Sequence, residues 1–200
     1  MLETTSGQRL EAEAYVLACG PWLPRVLPQS VGDRIRATRQ EVLYFGVPAG
    51  DDRHRVPALP MWIDFAAGLY GIPDFDGNGF KVGIDRHGER LDPDTADRVV
   101  GPAIVRETAR WLATRFPAMA DAPLVDARVC QYESTCTGDF IIDQHPAWPN
   151  VWIAGGGSGH GFKHGPAIAQ HLVDLIDGHC TTEPRFALAG KTGTAARAVY

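Results

Sequence analysis

Apolar and polar residues alternate in short runs along most of the chain, and this pattern predicts strands. Glu13 to Ala18 is a brief apolar run that stops at Gly20-Pro21. Thr38 to Val47 and Pro60 to Phe65 carry a β-branched and aromatic bias and close on Pro48-Ala-Gly50 and Ala66-Ala-Gly68. Leu69 to Ile72 and Gly79 to Ile84 flank Pro73-Asp-Phe-Asp-Gly-Asn78, the pattern of a hairpin with a longer loop. Leu124 to Tyr132, Phe140 to Asp143 and Val151 to Ala154 complete the strands. Two stretches instead follow helical spacing. From Thr95 to about Phe116, Ile104, Val105, Trp111, Leu112 and Phe116 share one face, and Pro117 ends the run. A second helix opens near Pro166, continues through Ile168, Leu172, Leu175 and Ile176, and stops at Gly178. Many strands with few helices predict an α+β fold with a mixed, largely antiparallel sheet.

The segment joining Val151–Ala154 to the second helix reads Gly155-Gly-Gly-Ser-Gly-His-Gly161. Glycines let a backbone approach a ligand closely. A helix start adds unpaired N–H groups and a partial positive charge, a combination that stabilises an anion or a developing negative charge. The spacing is neither that of a phosphate loop nor the G-x-G-x-x-G of a dinucleotide turn. The same residues also fit a plain tight strand-to-helix connection.

Bulk properties narrow the class further. The formal charge is −5 with signs mixed, which gives no basic field for nucleic acid and no polybasic membrane patch. No apolar run has transmembrane length, and the N-terminus has no signal-peptide pattern, so a cytoplasmic protein is expected. Cys19, Cys130, Cys136 and Cys180 are scattered without a C-x-x-C, which suggests neither a zinc site nor a disulfide framework. No metal is expected.

Several motifs, in this order, carry a resemblance. They are Tyr15-Val-Leu-Ala-Cys-Gly-Pro-Trp22, Leu69-Tyr-Gly-Ile-Pro73, Gly79-Phe-Lys-Val-Gly83, Asp92-Pro-Asp-Thr95, Ala127-Arg-Val-Cys-Gln-Tyr132, Thr135, Phe140-Ile-Ile-Asp143, His145-Pro146 and Ser158-Gly-His-Gly-Phe-Lys163. Over roughly residues 10 to 180 the chain resembles the monomeric sarcosine oxidase / N-methyl-amino-acid oxidase branch of the D-amino-acid-oxidase-like flavoproteins. The resemblance implies FAD, oxidation of a C–N bond in a small amine or amino acid, and O2 as acceptor. It implies the end of an FAD-binding, Rossmann-like domain over residues 1–36, a substrate domain over 37–133, a return to the FAD domain over 134–184 and a tail over 185–200. The Ala-, Gly- and Thr-rich tail is expected to be loosely ordered.

Residue by residue, the resemblance assigns flavin contact to Gly155, Gly156, Gly159, His160, Gly161, Phe162 and Lys163, with Gly20 and Trp22 as further contacts. Lys163 would also face a substrate carboxylate. Cys130 matches a cysteine that joins the 8α carbon of FAD by a thioether, a bond that needs a thiolate and would be helped by a basic neighbour such as Arg128. Lys81 matches the lysine credited with activating O2, and Tyr70 a tyrosine of the substrate pocket. Asp85 stands where close relatives have a histidine, which puts sarcosine itself in doubt. His87 and His145 read as surface or structural residues. From the residues alone, Cys130 also fits a buried structural cysteine, Lys81 a solvated strand lysine and Tyr70 a packing residue.

The family's opening strand, G-x-G-x-x-G turn and helix have no counterpart before Glu13. The chain therefore resembles the C-terminal half of such an enzyme, a truncated or split gene product lacking an N-terminal half. This chain alone is expected to bind FAD weakly and to show no oxidase turnover. Two other readings stay open: an amine dehydrogenase subunit with a different electron acceptor, and a flavin-free remnant or interaction domain.

Overall fold

The computed structural model describes residues 1–193. The end of the expected tail, residues 194–200, lies outside the described residues. Among the described residues the chain divides into two compact units, the first formed by Met1–Ala37 with residues 133–193, the second by Thr38–Tyr132. In chain order the strands are β1 (Leu2–Glu3), β2 (Arg9–Leu10), β3 (Tyr15–Leu17), β4 (Ile35–Phe45), β5 (Trp62–Asp64), β6 (Leu69–Ile72), β7 (Phe80–Ile84), β8 (Leu124–Thr135), β9 (Ile141–His145) and β10 (Trp148–Gly155). The α-helices are α1 (Leu23–Val26), α2 (Pro102–Arg115) and α3 (Gly165–Ile176). The expected α+β class, with mostly antiparallel pairing, holds.

In the first unit β10 is the middle strand, parallel to β3 and antiparallel to β9. Alternation along the strands separates two apolar layers. Ile141 and Ile153 pack with Leu23, Leu27, Val31, Ile35 and Leu188. Their chain neighbours Ile142 and Trp152 pack with Leu172 and Leu175 of α3. Pro166 lies in the first turn of α3, and its apolar stripe is the one the sequence predicts. The tail departs from expectation. Leu188 is buried, Thr182 Oγ1 and the Leu188 N–H donate to the two oxygens of Asp143 at 2.9 and 2.8 Å, and the buried Lys191 donates to Thr137 Oγ1 at 3.0 Å. Residues 185–191 are thus tied to the unit at Leu188 and Lys191, because Asp143 and Lys191 supply polar anchors that a local Ala/Gly/Thr composition does not reveal.

The second unit is built on a five-stranded sheet in the order β5-β6-β7-β4-β8. The hairpin of β6 and β7 has the expected bounds, with Gly71 opposite Val82 and Ile72 opposite Lys81. Leu43, Phe45, Leu69, Phe80 and Val82 point to one face and pack with Leu112 of α2 and Met119. Trp62 stacks on Trp111 at 5.1 Å between ring centres, which seats α2 on this face. Burying a side chain such as Leu112 contributes about 1.5–3 kcal/mol. The helix begins at Pro102, not at Thr95. A proline is accommodated in the first turn but not in a helix interior, so residues 95–101 cannot precede it in the same helix.

Candidate functional site

In the first unit the candidate site is the turn between β10 and α3. Gly156 has φ +74° and lies against Thr135, where a Cβ would come within 2.6 Å of the threonine Cγ2. Only glycine fits both conditions. A Cβ on Gly155 would strike Leu23 Cδ1 at 2.3 Å, so the Gly20–Trp22 turn, which leads directly into Leu23, is brought under the glycine run. Ser158, a non-glycine residue at φ +48°, is buried. Its Oγ donates to the Gly156 carbonyl at 3.0 Å and accepts from the Thr135 N–H at 3.3 Å. Such a conformation persists where surrounding bonds over-determine it.

Beneath this turn lies Glu133, a residue the sequence did not single out. Its Oε1 accepts from the Gly157 N–H at 3.3 Å, and its backbone carbonyl accepts from the Ser158 N–H at 3.2 Å. Oε2 is buried without a partner among the described residues. Burial raises the carboxyl above the ordinary glutamate range, and hydrogen bonds from Gly156 and Gly157 offset part of that rise. The turn continues into a 3-10 segment, Phe162–His164, and then α3. His160 donates its Nε2 hydrogen to the Gly138 carbonyl at 2.8 Å, so its ring is spent on structure and only its backbone remains for a ligand. Phe162 is fully exposed and Lys163 exposed. The first N–H groups of the helical turn have no intrahelical acceptor.

In the second unit the remaining candidates share one face of the sheet, the face opposite the core. Tyr70 pairs with Gly83, and Lys81 with both Ile72 and Tyr44. The Tyr70 ring lies flat across Gly83, where a Cβ would fall 2.2 Å from the tyrosine Cζ. Lys81 Nζ stands 5.4 Å from the centre of the same ring. Cys130 is exposed on β8. Two positions away in either direction, Arg128 and Tyr132 face the same way. Arg128 lies over the Tyr44 ring and donates to Asp126 Oδ2 at 2.7 Å, so its cation is already held by a carboxylate.

The Tyr132 hydroxyl donates to Asp85 Oδ1 at 3.0 Å and is hydrogen-bonded to Tyr70. Burial, then the proximity of Tyr70 and Asp85, raises the Tyr132 phenol. Burial, then Cys130 and Asp85, raises that of Tyr70. Both phenols therefore stay protonated donors at neutral pH. His87 meets the Tyr132 ring edge-on at 6.3 Å. His145, by contrast, is a packing residue: buried, stacked on Trp148 at 4.0 Å, with Nε2 3.1 Å from Ser30 Oγ. Among the described residues, no cluster of three His, Cys, Asp or Glu side chains could hold a metal, and no helix is long and apolar enough to cross a membrane.

This architecture is one already seen in solved structures. Fructosyl peptide oxidase from E. terrenum matches over 98% of this chain and 51% of its own, with a TM-score of 0.80 at 21% identity, a likeness of fold. The chain belongs to the DAO family of FAD dependent oxidoreductases, whose model matches residues 2–175. It is 32% identical over 168 residues to the monomeric sarcosine oxidase of Bacillus sp. (strain NS-129), which covers 82% of this chain and 43% of that protein. It is 26% identical to the human peroxisomal sarcosine oxidase, over 86% of this chain and 45% of that protein. The chain thus spans less than half the length of the sarcosine oxidases it matches.

Both structural features suit a flavin. The glycine turn holds its backbone close against Leu23 and Thr135, where a Cβ would collide, and leads into the unpaired N–H groups at the start of α3, and the sheet face offers a cysteine, a lysine and two neutral phenols at one surface.

Proposed function

We propose that this chain supplies the flavin-edge and substrate-facing parts of an FAD-dependent oxidase acting on the C–N bond of a small amine or N-methyl amino acid. The observation that carries the reading is the convergence of the hairpin residues Tyr70 and Lys81 with the sequence-distant Cys130 on one sheet face of a family member. When bound, FAD supplies the redox chemistry, accepting a hydride equivalent from the amine carbon and passing the electrons to O2 with release of hydrogen peroxide. The turn from Gly155 to Lys163 and the start of α3 would offer backbone N–H groups to a ring edge where negative charge develops. Cys130 anchors the cofactor through its thiol. Lys81 places a fixed cation where oxygen acquires charge, and Lys163 faces the substrate carboxylate. Tyr70 presents a neutral phenol to the amine side. Four free cysteines suit a reducing, cytoplasmic setting.

The test uses the protein isolated from its native cells. N-methyl amines and N-methyl amino acids should bleach its flavin anaerobically, and air should restore the colour with release of peroxide. Acid precipitation should leave the flavin on the wild-type chain and free it completely from Cys130→Ser. Flavin retained by the acid-precipitated Cys130→Ser protein would remove Cys130 as anchor. Failure of every amine to bleach the flavin would sink the oxidase reading.

A further inference from the structure

The pairing of β4 with β7 ends at Val42 and Gly83, and just beyond it the side chain of Gln40 takes over the bonding. Gln40 is 1% exposed. Its Nε2 donates to the carbonyls of Ile84 at 3.0 Å and Arg86 at 2.9 Å, one on either side of Asp85. Its Oε1 accepts from the Gly88 N–H at 3.0 Å and from the Thr38 hydroxyl at 3.4 Å. A primary amide offers two hydrogens and two lone pairs, so the group is used in full. Only this orientation of the amide meets two carbonyls and an N–H. The Asp85 N–H is held as well, by the Gly68 carbonyl at 2.9 Å. The backbone is thus fixed on both sides of Asp85, whose Oδ1 accepts from the Tyr132 hydroxyl at 3.0 Å. Continued strand pairing would bond these groups main chain to main chain. Gln40 does so instead, which lets the chain leave the strand while Asp85 stays at its end.

We propose that Gln40 is a positioning residue of the substrate site, setting Asp85 against Tyr132 and so fixing the spacing that a bound amine meets. The proposal rests on the amine-oxidase reading and adds a residue that touches neither substrate nor cofactor. Gln40 acts on the backbone at Ile84, Arg86 and Gly88, and the Tyr132–Asp85 bond carries its effect to the sheet face. Without its amide three main-chain groups lose their partner, and the segment shifts to find others.

Two readouts on the flavin-containing protein test this. The first needs neither substrate nor turnover. With tyrosine labelled by 13C at Cζ, the Tyr132 resonance, assigned by its loss in Tyr132→Phe, reports whether the hydroxyl is bonded to Asp85. Gln40→Met should move it in the direction of Asp85→Ala. The double variant should match Asp85→Ala alone, as two changes acting on one bond do. Gln40→Glu keeps the acceptor for Gly88 and lacks the paired amide hydrogens. It should fall between, and it serves if the methionine variant fails to fold. The second readout is anaerobic bleaching by N-methyl amino acids. The concentration giving half the maximal rate should rise about tenfold in Gln40→Met, the scale of one buried hydrogen bond. The rate at saturation should change much less. A Tyr132 resonance at its wild-type position in both Gln40 variants overturns the proposal, as does a shifted resonance with amine affinity unchanged. If no amine bleaches the wild type, the oxidase reading falls, and the resonance alone decides the positioning role.

Discussion

At the turn of the first unit the groups offered to a ligand, Lys163 apart, are backbone N–H groups, whereas on the sheet face of the second they are side chains. The first arrangement depends on what is absent: a Cβ at Gly155 or Gly156 would collide with Leu23 or Thr135. Its charge is the diffuse partial charge of a helix start, and it cannot titrate. The second depends on strand register. Pairing of Tyr70 with Gly83 and of Lys81 with Tyr44 puts every second side chain on one surface, and a slip of one residue would bury Lys81 and expose Phe80. Its charges are discrete, on Lys81 and Asp85, and each can be removed singly. Substitutions should therefore act on chemistry in the second unit and on stability in the first.

The largest effect should come from Lys81→Met in the flavin-containing protein. Removing a fixed cation from a site where oxygen gains charge should slow reoxidation by air on the order of 100-fold, while anaerobic reduction by amine changes little. Rapid-mixing measurements of the two half-reactions check this. Equal slowing of both would show that the lysine holds the sheet rather than serving oxygen, and the contrast between the units would weaken.

Paired glycine substitutions sharpen the comparison. Gly156→Ala meets both a positive φ and a contact at 2.6 Å, and should cost about 2 kcal/mol in denaturant unfolding. Gly83→Ala meets only the Tyr70 ring, which can swing away. It should cost less stability, and it should disturb the Tyr70–Tyr132 hydrogen bond, visible as altered tyrosine ultraviolet absorption. Similar unfolding costs for the two would mean that the sheet face is as rigidly packed as the turn.

The difference between the units also explains what could be read from the chain in advance. Local signals carried the turn and its helix, because Gly155–Gly161, Pro166 and the Leu172–Leu175 stripe lie within one short segment. The hairpin of β6 and β7 was legible for the same reason. Resemblance pointed to Tyr70, Lys81 and Cys130 one at a time; the local hairpin of β6 and β7 puts the first two on one face, but that Cys130 joins them follows from the pairing of the distant β8 with β4. The Tyr132–Asp85 bond spans 47 residues and leaves no local pattern. Glu133 was missed because nothing near it in sequence says that its neighbours are the glycines of residues 155–157. The early start assigned to α2 came from following apolar spacing past Pro102, where chain stereochemistry should have decided. The anchoring of residues 185–191 depends on Asp143, some forty residues earlier, and on Lys191.

Glu133 is the exception within the first unit, a titratable group under an otherwise backbone-built turn, and it yields the smallest predicted effect. Burial raises its carboxyl, so the folded chain holds this proton more firmly than the unfolded chain does. The resulting stability is complete below the ordinary glutamate value of 4.5 and is lost as pH rises through the folded value, where an anion forms whose Oε2 has no partner. Glu133→Gln has no proton to lose and can still accept the Gly157 N–H through its amide oxygen. The variant should match the wild type in acid and exceed its stability at neutral pH by about 1 kcal/mol, the scale of one poorly satisfied buried polar group. Urea midpoints measured across that range decide the matter. A wild-type and variant difference that stays constant with pH would mean that Glu133 is ionised throughout, and that the glycine turn, through the Gly156 and Gly157 N–H groups, already stabilises a full negative charge.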